Sequence, residues 1–145
     1  MEQQSQVHDT LAPSQAPYLE TPSGLAHAEW AMVETSRANC LLIGSDIFVD
    51  DALTLLSSAL SRPVVLWSSG HPLLLPPSSS VSTLILRDIG GLDQADQWRL
   101  ARWIDDARGT RIISTASVPP WPLVERGVFL EELYYRLNTV TVTLP

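Results

Sequence analysis

Five short strand-like segments, residues 40–43, 63–67, 83–86, 111–115 and 140–144, the first three mostly apolar and the last alternating Val with Thr, punctuate this chain, and the stretches between most of them place apolar residues at helical spacing. Strands that are apolar along their whole length need cover on both faces. Their alternation with helices predicts an α/β fold: a three-layer parallel sheet with flanking helices and right-handed crossovers. The 145 residues suffice for one domain that buries about two thirds of its unfolded surface. Hydrophobic residues make up 45% and charged residues 17%, so apolar burial can offset chain entropy.

Leu25, Ala28, Met32 and Val33 recur at helical spacing behind Ser23, a candidate cap, and predict a helix over residues 25–37. Residues 40–43 read as a buried strand broken by Gly44 and Asp46. Asp50 or Asp51 then starts a helix whose apolar face is Ala52, Leu55, Leu56, Ala59 and Leu60. Residues 63–67 read as another buried strand, and the Ser- and Pro-rich segment 68–82 as a loop. After the third strand and the Gly90-Gly91 turn, Asp93 caps a helix to about Asp106, with Leu100, Trp103, Ile104 and Ala107 on one face and Gly109 at its end. Past the fourth strand, Pro119, Pro120 and Pro122 break the chain. A short helical piece at 123–126 follows, then a helix carrying Phe129, Leu133 and Leu137, with Glu132 and Arg136 paired on its surface.

Charge and residue types exclude several functions. Sixteen acidic against nine basic residues leave a net charge of −7, a field that repels nucleic-acid backbones and anionic lipids, so neither DNA nor a membrane is an expected partner. All the basic residues are arginines, which excludes any mechanism needing a lysine. Cys40 is the one cysteine; it permits no intrachain disulfide and fits a buried, inert thiol in a reducing, cytoplasmic setting. Residues 1–23 are polar and proline-containing, lack a signal-peptide pattern, and read as a flexible N-terminal arm before a domain over 24–145. No nucleophile elbow occurs, and His8, His27 and His71 have no metal-binding spacing, so neither a hydrolase nor a metal site is expected.

The segments TLILRDIGGLDQADQWRLARWID (83–105), RIISTAS (111–117) and ERGVFLEELYYRLNTVTVTLP (125–145) resemble the central ATPase domain of sigma-54-dependent transcription activators. Those proteins carry T-L-F-L-D-E-I-G-E-L, R-L-I-A-A-T-N and G-x-F-R-x-D-L-Y-Y-R-L-N-V-x-x-x-x-L-P in the same order. The likeness runs from residue 24 and is strongest from Thr83. It implies a P-loop NTPase core of AAA+ type, here without the helical lid and the helix-turn-helix domain with which such proteins continue.

The resemblance also marks vestigial nucleotide-pocket positions. Where the family has G-x-x-x-x-G-K-[ST], Gly44 stands first, Val49 replaces the second glycine, Asp50 the lysine and Asp51 the hydroxyl residue. No basic residue lies between Arg37 and Arg62 to replace the lost cation. Arg87 and Asp88 occupy the places of the magnesium-side Asp and the water-polarising Glu, and the expected fate of Arg87 is an ion pair with Asp50 or Asp51. Ser117 replaces the γ-phosphate-sensing Asn. Of the two boundary arginines, the first is Leu130 and the second survives as Arg136. The sigma-54 contact loop G-A-F-T-G-A has no counterpart within 68–82.

These departures imply a protein that binds neither ATP nor magnesium, is not an enzyme, and serves as a regulatory or protein-interaction module toward a protein partner. Trp98, beside Arg99 and Arg102, and Trp121, set between prolines, are its candidate interface residues; Trp67 and Trp103 are assigned to the core. An ATPase working through an altered pocket, with nucleotide beside Gly44, is the competing expectation. A decayed relative without a role of its own is the third.

Overall fold

The doubly apolar strands do receive a helical layer on each face in residues 27–145, the part that the computed structural model describes. The expected arm over 1–23, the Ser23 cap, Leu25 and His8 lie outside the described residues, as do the surroundings of the His27 side chain. Helix α1 (His27–Thr35) leads into β1 (Cys40–Ile43), α2 (Asp46–Leu56), a 3-10 turn (Ser57–Ala59) and β2 (Val64–Ser68). A loop containing a second 3-10 turn (Ser78–Ser80) precedes β3 (Thr83–Arg87), a third (Ile89–Gly91), α3 (Gln94–Asp106) and β4 (Arg111–Ala116). Helices α4 (Trp121–Glu125) and α5 (Glu131–Leu137) lead to β5 (Val140–Thr143). All strand pairings are parallel, in the order β2-β3-β4-β1-β5.

Strand alternation divides the core into two layers. Cys40, Leu42, Ile85, Ile113 and Val142 face Trp30 and Val33 of α1 and Val49, Ala52 and Leu56 of α2. Leu41, Ile43, Leu84, Leu86 and Ile112 face Leu100 and Ala101 of α3 and Leu133 and Leu137 of α5. Each such aliphatic side chain taken from water contributes about 1.5–3 kcal/mol. The amides of buried Gln97 and half-buried Asn39 then tie distant segments together. Gln97 donates to the carbonyls of Leu92 (3.0 Å) and Val128 (3.1 Å) and accepts from the Leu130 N–H (2.7 Å), fixing the approach to α5 against α3. Asn39 accepts from the Ile112 N–H (2.8 Å) and donates to the Arg136 carbonyl (2.9 Å), joining the start of β1 to β4 and α5.

Several elements depart from the sequence expectation for physical reasons. The buried stripe of α1 is Trp30 and Val33, whereas Ala28 and Met32 are exposed, because the indole is the largest apolar group the helix offers to the sheet. Helix α2 begins at Asp46, four residues before Asp50, and Ala59 is exposed past its end. β2 is an edge strand, with Leu66 59% exposed, and not a fully buried one. Pro122 does not break the chain: it sits in the first turn of α4, where no backbone N–H is required. Phe129 is buried as expected but precedes α5. No helix among the described residues is long and apolar enough to cross a membrane.

Replacing Gln97 with Leu keeps the volume and removes the partners of three backbone groups around a buried amide, so unfolding free energy falls by about 2–5 kcal/mol in urea titration. Gln94→Leu, which removes one exposed 3.4 Å contact to the Gly127 carbonyl, costs less than about 1 kcal/mol. Burial pushes the Cys40 thiol up to about 11, against the opposing pull of Arg111. A folded value above the ordinary 9.0 means that this contribution to stability is complete below pH 9 and is lost as pH rises toward 11. Native Cys40 is accordingly expected to react far more slowly with a thiol reagent at neutral pH than it does in denaturant.

Candidate functional site

In open parallel sheets the ligand crevice lies past the carboxyl ends of the central strands. Here those ends belong to β3, β4 and β1, and they bring Asp88, Ser117 and Gly44 to one edge. The Gly44 N–H donates to the Ala116 carbonyl at 3.0 Å, and the Asp88 N–H donates to Thr115 Oγ1 at 2.9 Å. Asp88 has φ +61°, a left-handed conformation that aspartate tolerates better than most residues, and its side chain is exposed where it leads into the Ile89–Gly91 turn.

The stretch that corresponds to a phosphate loop is wound into helix. Ser45 is the N-cap of α2, in extended conformation, and the Val49 N–H donates to the Ser45 carbonyl at 2.9 Å. The amides of Val49, Asp50 and Asp51 therefore sit within the helical ladder, where an N–H is committed to the carbonyl four residues back. Only those of the first turn lack an intrahelical acceptor. Asp50 and Asp51 consequently do not stand at the mouth of an anion site; both are exposed on the body of α2. Val49, which the resemblance put at a loop glycine, is a core residue, 2% exposed, against the sheet.

Gly44 is itself covered. A Cβ at this position would lie 2.8 Å from the Leu144 Cβ, and Leu144 is buried in the same layer as Val49. The Leu144 N–H donates to the Ile43 carbonyl at 2.7 Å, which holds the residue after β5 over the end of β1. Arg87 leaves β3 on the α2 side and meets Asp50 at 2.6 Å, one of the two partners expected for it. This pair borders a groove of about 390 Å³ between α2 and the outer strands, lined also by Leu53, Leu66 and Ile85.

Arg136 is not brought to this edge. Its carbonyl accepts from Asn39, just before β1, so it sits at the amino end of the sheet. It forms the expected pair with Glu132 (2.6 Å) and a second with Asp105 of α3 (2.9 Å), which no local spacing foretells. Partial desolvation works against its charge, but the hydrogen bonds it donates to Glu132 and Asp105 outweigh this and hold the guanidinium above its ordinary value.

The two interface candidates lie in different settings. Trp98 is 53% exposed beside a cavity of about 330 Å³ lined by Leu75, Arg99, Arg102, Trp103 and Asp106. Arg99 is committed to Asp96 (2.7 Å) and to the Leu73 carbonyl (3.1 Å), which fastens the 68–82 loop to α3. Trp103 adds a bond from its Nε1 to the Pro76 carbonyl at 2.7 Å. Trp121 is half-buried in an aromatic cluster, its ring 5.3 Å from Tyr134 and 6.1 Å from Tyr135. Packing thus takes up part of the ring expected to serve as an anchor.

A family model described as the sigma-54 interaction domain matches residues 58–145. The HTH-type transcriptional regulatory protein TyrR of Enterobacter agglomerans is 31% identical over 75 aligned residues, covering 43% of this chain and 14% of that protein. Among solved structures, NtrX from Brucella abortus in complex with ATP superposes with a TM-score of 0.68 at 18% identity, covering 94% of this chain and 39% of that one. The P-loop NTPase domain of a sigma-54 activator from E. coli gives 0.55 at 17% identity, covering 81% and 91% respectively. The chain thus spans well under half of TyrR and of NtrX, and these structural likenesses place it in the P-loop NTPase, AAA+ fold.

Gly44→Ala forces Leu144 off the end of β1, and urea denaturation is expected to show a loss of about 1–3 kcal/mol. Asp50→Ala removes a bridge whose acid is 59% exposed, so the same measurement should show at most about 1 kcal/mol. The reverse order would mean that the ion pair, and not the covered glycine, organises this edge.

Proposed function

Because the chain belongs to the sigma-54 interaction domain family, we propose that it is a regulatory relative of the sigma-54-dependent transcription activators that neither binds nor hydrolyses ATP and acts through contact with another protein. One observation carries the proposal: helix α2 starts at Asp46, directly behind Gly44 and its cap Ser45, so the amides of Val49, Asp50 and Asp51 are consumed in the helical ladder and are not free to receive a phosphate. Unwinding that turn to receive a polyphosphate would break backbone hydrogen bonds and pull Val49 out of the core. Nor would an anion meet a replacement for the missing lysine. Arg87 is bound to Asp50, while Asp51 and Asp88 add negative charge nearby without a cationic partner among the described residues.

The interaction role rests on what remains exposed. Trp98 and Arg102 offer an aromatic and a cationic group on one face of α3, and Trp121 contributes the rim of a second aromatic surface with Tyr135. Without a counterpart of the G-A-F-T-G-A loop, sigma-54 is not the proposed target, and the net charge of −7 argues against DNA. A reducing cytoplasm suits its lone buried thiol.

Titration calorimetry with ATP and magnesium is expected to show no saturable heat, and the mass in solution is expected to be the same with and without ATP. Micromolar affinity that disappears in Asp88→Asn would overturn the proposal in favour of an ATPase with an altered pocket.

A further inference from the structure

The amino end of the sheet holds what the carboxyl end has lost. Arg111 opens β4, is 8% exposed, and runs beneath the end of α1. Its Nη2 donates to the Val33 carbonyl at 2.7 Å, at the negative end of that helix, and its Nε to the Ala38 carbonyl at 2.9 Å, in the segment that follows it. Among the described residues no carboxylate lies in ion-pair range of Arg111, and Nη1 has no hydrogen-bond partner. A buried guanidinium held only by dipoles retains a strong preference for an anion. Burial lowers its proton affinity, and the neighbouring cation Arg37 lowers it further, though the Cys40 thiol acts in the opposite sense.

Arg111 and Arg37 line one cavity of about 220 Å³ together with Glu34, Ser36, Ser61 and Ser82. Each water in a liquid takes about 30 Å³, so the cavity has room for a small oxyanion and a few hydrating waters. The Ser36 hydroxyl accepts from the Ala38 N–H at 2.9 Å, which leaves its own proton free to donate. The hydroxyls of Ser61 and Ser82 have no protein partner among the described residues. Two arginines and one acidic residue, Glu34, line this cavity, in a chain whose overall balance is strongly acidic. A planar carboxylate ligand would be satisfied by the fork of a single arginine, whereas donors from both arginines and three serines suit four oxygens in a tetrahedron.

We propose that the cavity between the end of α1, the turn before β2 and the start of β4 binds a tetrahedral oxyanion, inorganic phosphate or the phosphate of a small monoester, with Arg37 and Arg111 as its cationic ligands. The site lies at the opposite end of the sheet from Gly44 and does not depend on the fate of the nucleotide pocket.

The test is thermal unfolding of the whole chain in increasing inorganic phosphate, with sodium chloride at equal ionic strength as control and O-phosphoserine in a parallel series. Phosphate should raise the midpoint in a saturable way that chloride does not, and Arg37→Gln should weaken the apparent affinity roughly tenfold or more. Ser61→Ala with Ser82→Ala should weaken it as well. Arg37 and Ser61 are exposed, so folding is expected to survive these changes, whereas Arg111→Gln would also uncap α1. A stronger response to phosphoserine than to phosphate would identify the monoester as the ligand class. A midpoint that follows ionic strength alone, or an Arg37→Gln chain that binds phosphate as tightly as the original, would overturn the proposal.

Discussion

The three central strands β3, β4 and β1 are buried on both faces, and this single constraint organises the rest of the molecule. A sheet of that kind is insoluble until helices cover each side, and the helices in turn have no other surface on which to bury their stripes. The two layers are unequal. α1 and α2 close one side through Trp30, Val33, Val49, Ala52 and Leu56, whereas α3 and α5 close the other with help from the 68–82 loop, which delivers Leu73 to the core. Gln97 then fixes α5 against α3 within one layer, and Asn39 ties that layer to the sheet by satisfying backbone groups of β4 and α5 at once.

That dependence accounts for the helical winding directly behind Gly44. Val49 enters the layer formed with α2, and burial of its side chain favours a helix that begins at Asp46 behind its cap Ser45. Leu144 closes over Gly44 from the other direction. The left-handed backbone of Asp88 persists beside this filled edge, held through its N–H to Thr115. Its geometry is that of a turn into α3, and the exposed ion pair of Arg87 with Asp50 contributes little to holding this edge.

The same sheet carries opposite electrostatics at its two ends. At the carboxyl end acidic groups prevail, and Arg87 is occupied by Asp50. At the amino end Arg111 lies buried against helix carbonyls with Arg37 close by. Arg136 is at that end too, fully committed to Asp105 and Glu132. A chain of net charge −7 therefore keeps a local positive site, and bulk composition says nothing of where it lies.

The order of strands and helices, the parallel sheet, the family likeness and the Glu132–Arg136 pair were all legible in the sequence, since apolar period, turn residues and helical spacing are local and survive without the fold. The placement of Arg87 near the acids of α2 was half legible, through the resemblance and not through spacing. What only the tertiary structure decided were relations between distant segments. Trp30 and not Met32 faces the sheet, β2 lies at an edge, α2 begins at Asp46, and Arg111 reaches the carbonyls of α1. Each of these depends on which surface another part of the chain presents, and side-chain burial and charge pairing across tens of residues leave no periodic trace in the order of the amino acids.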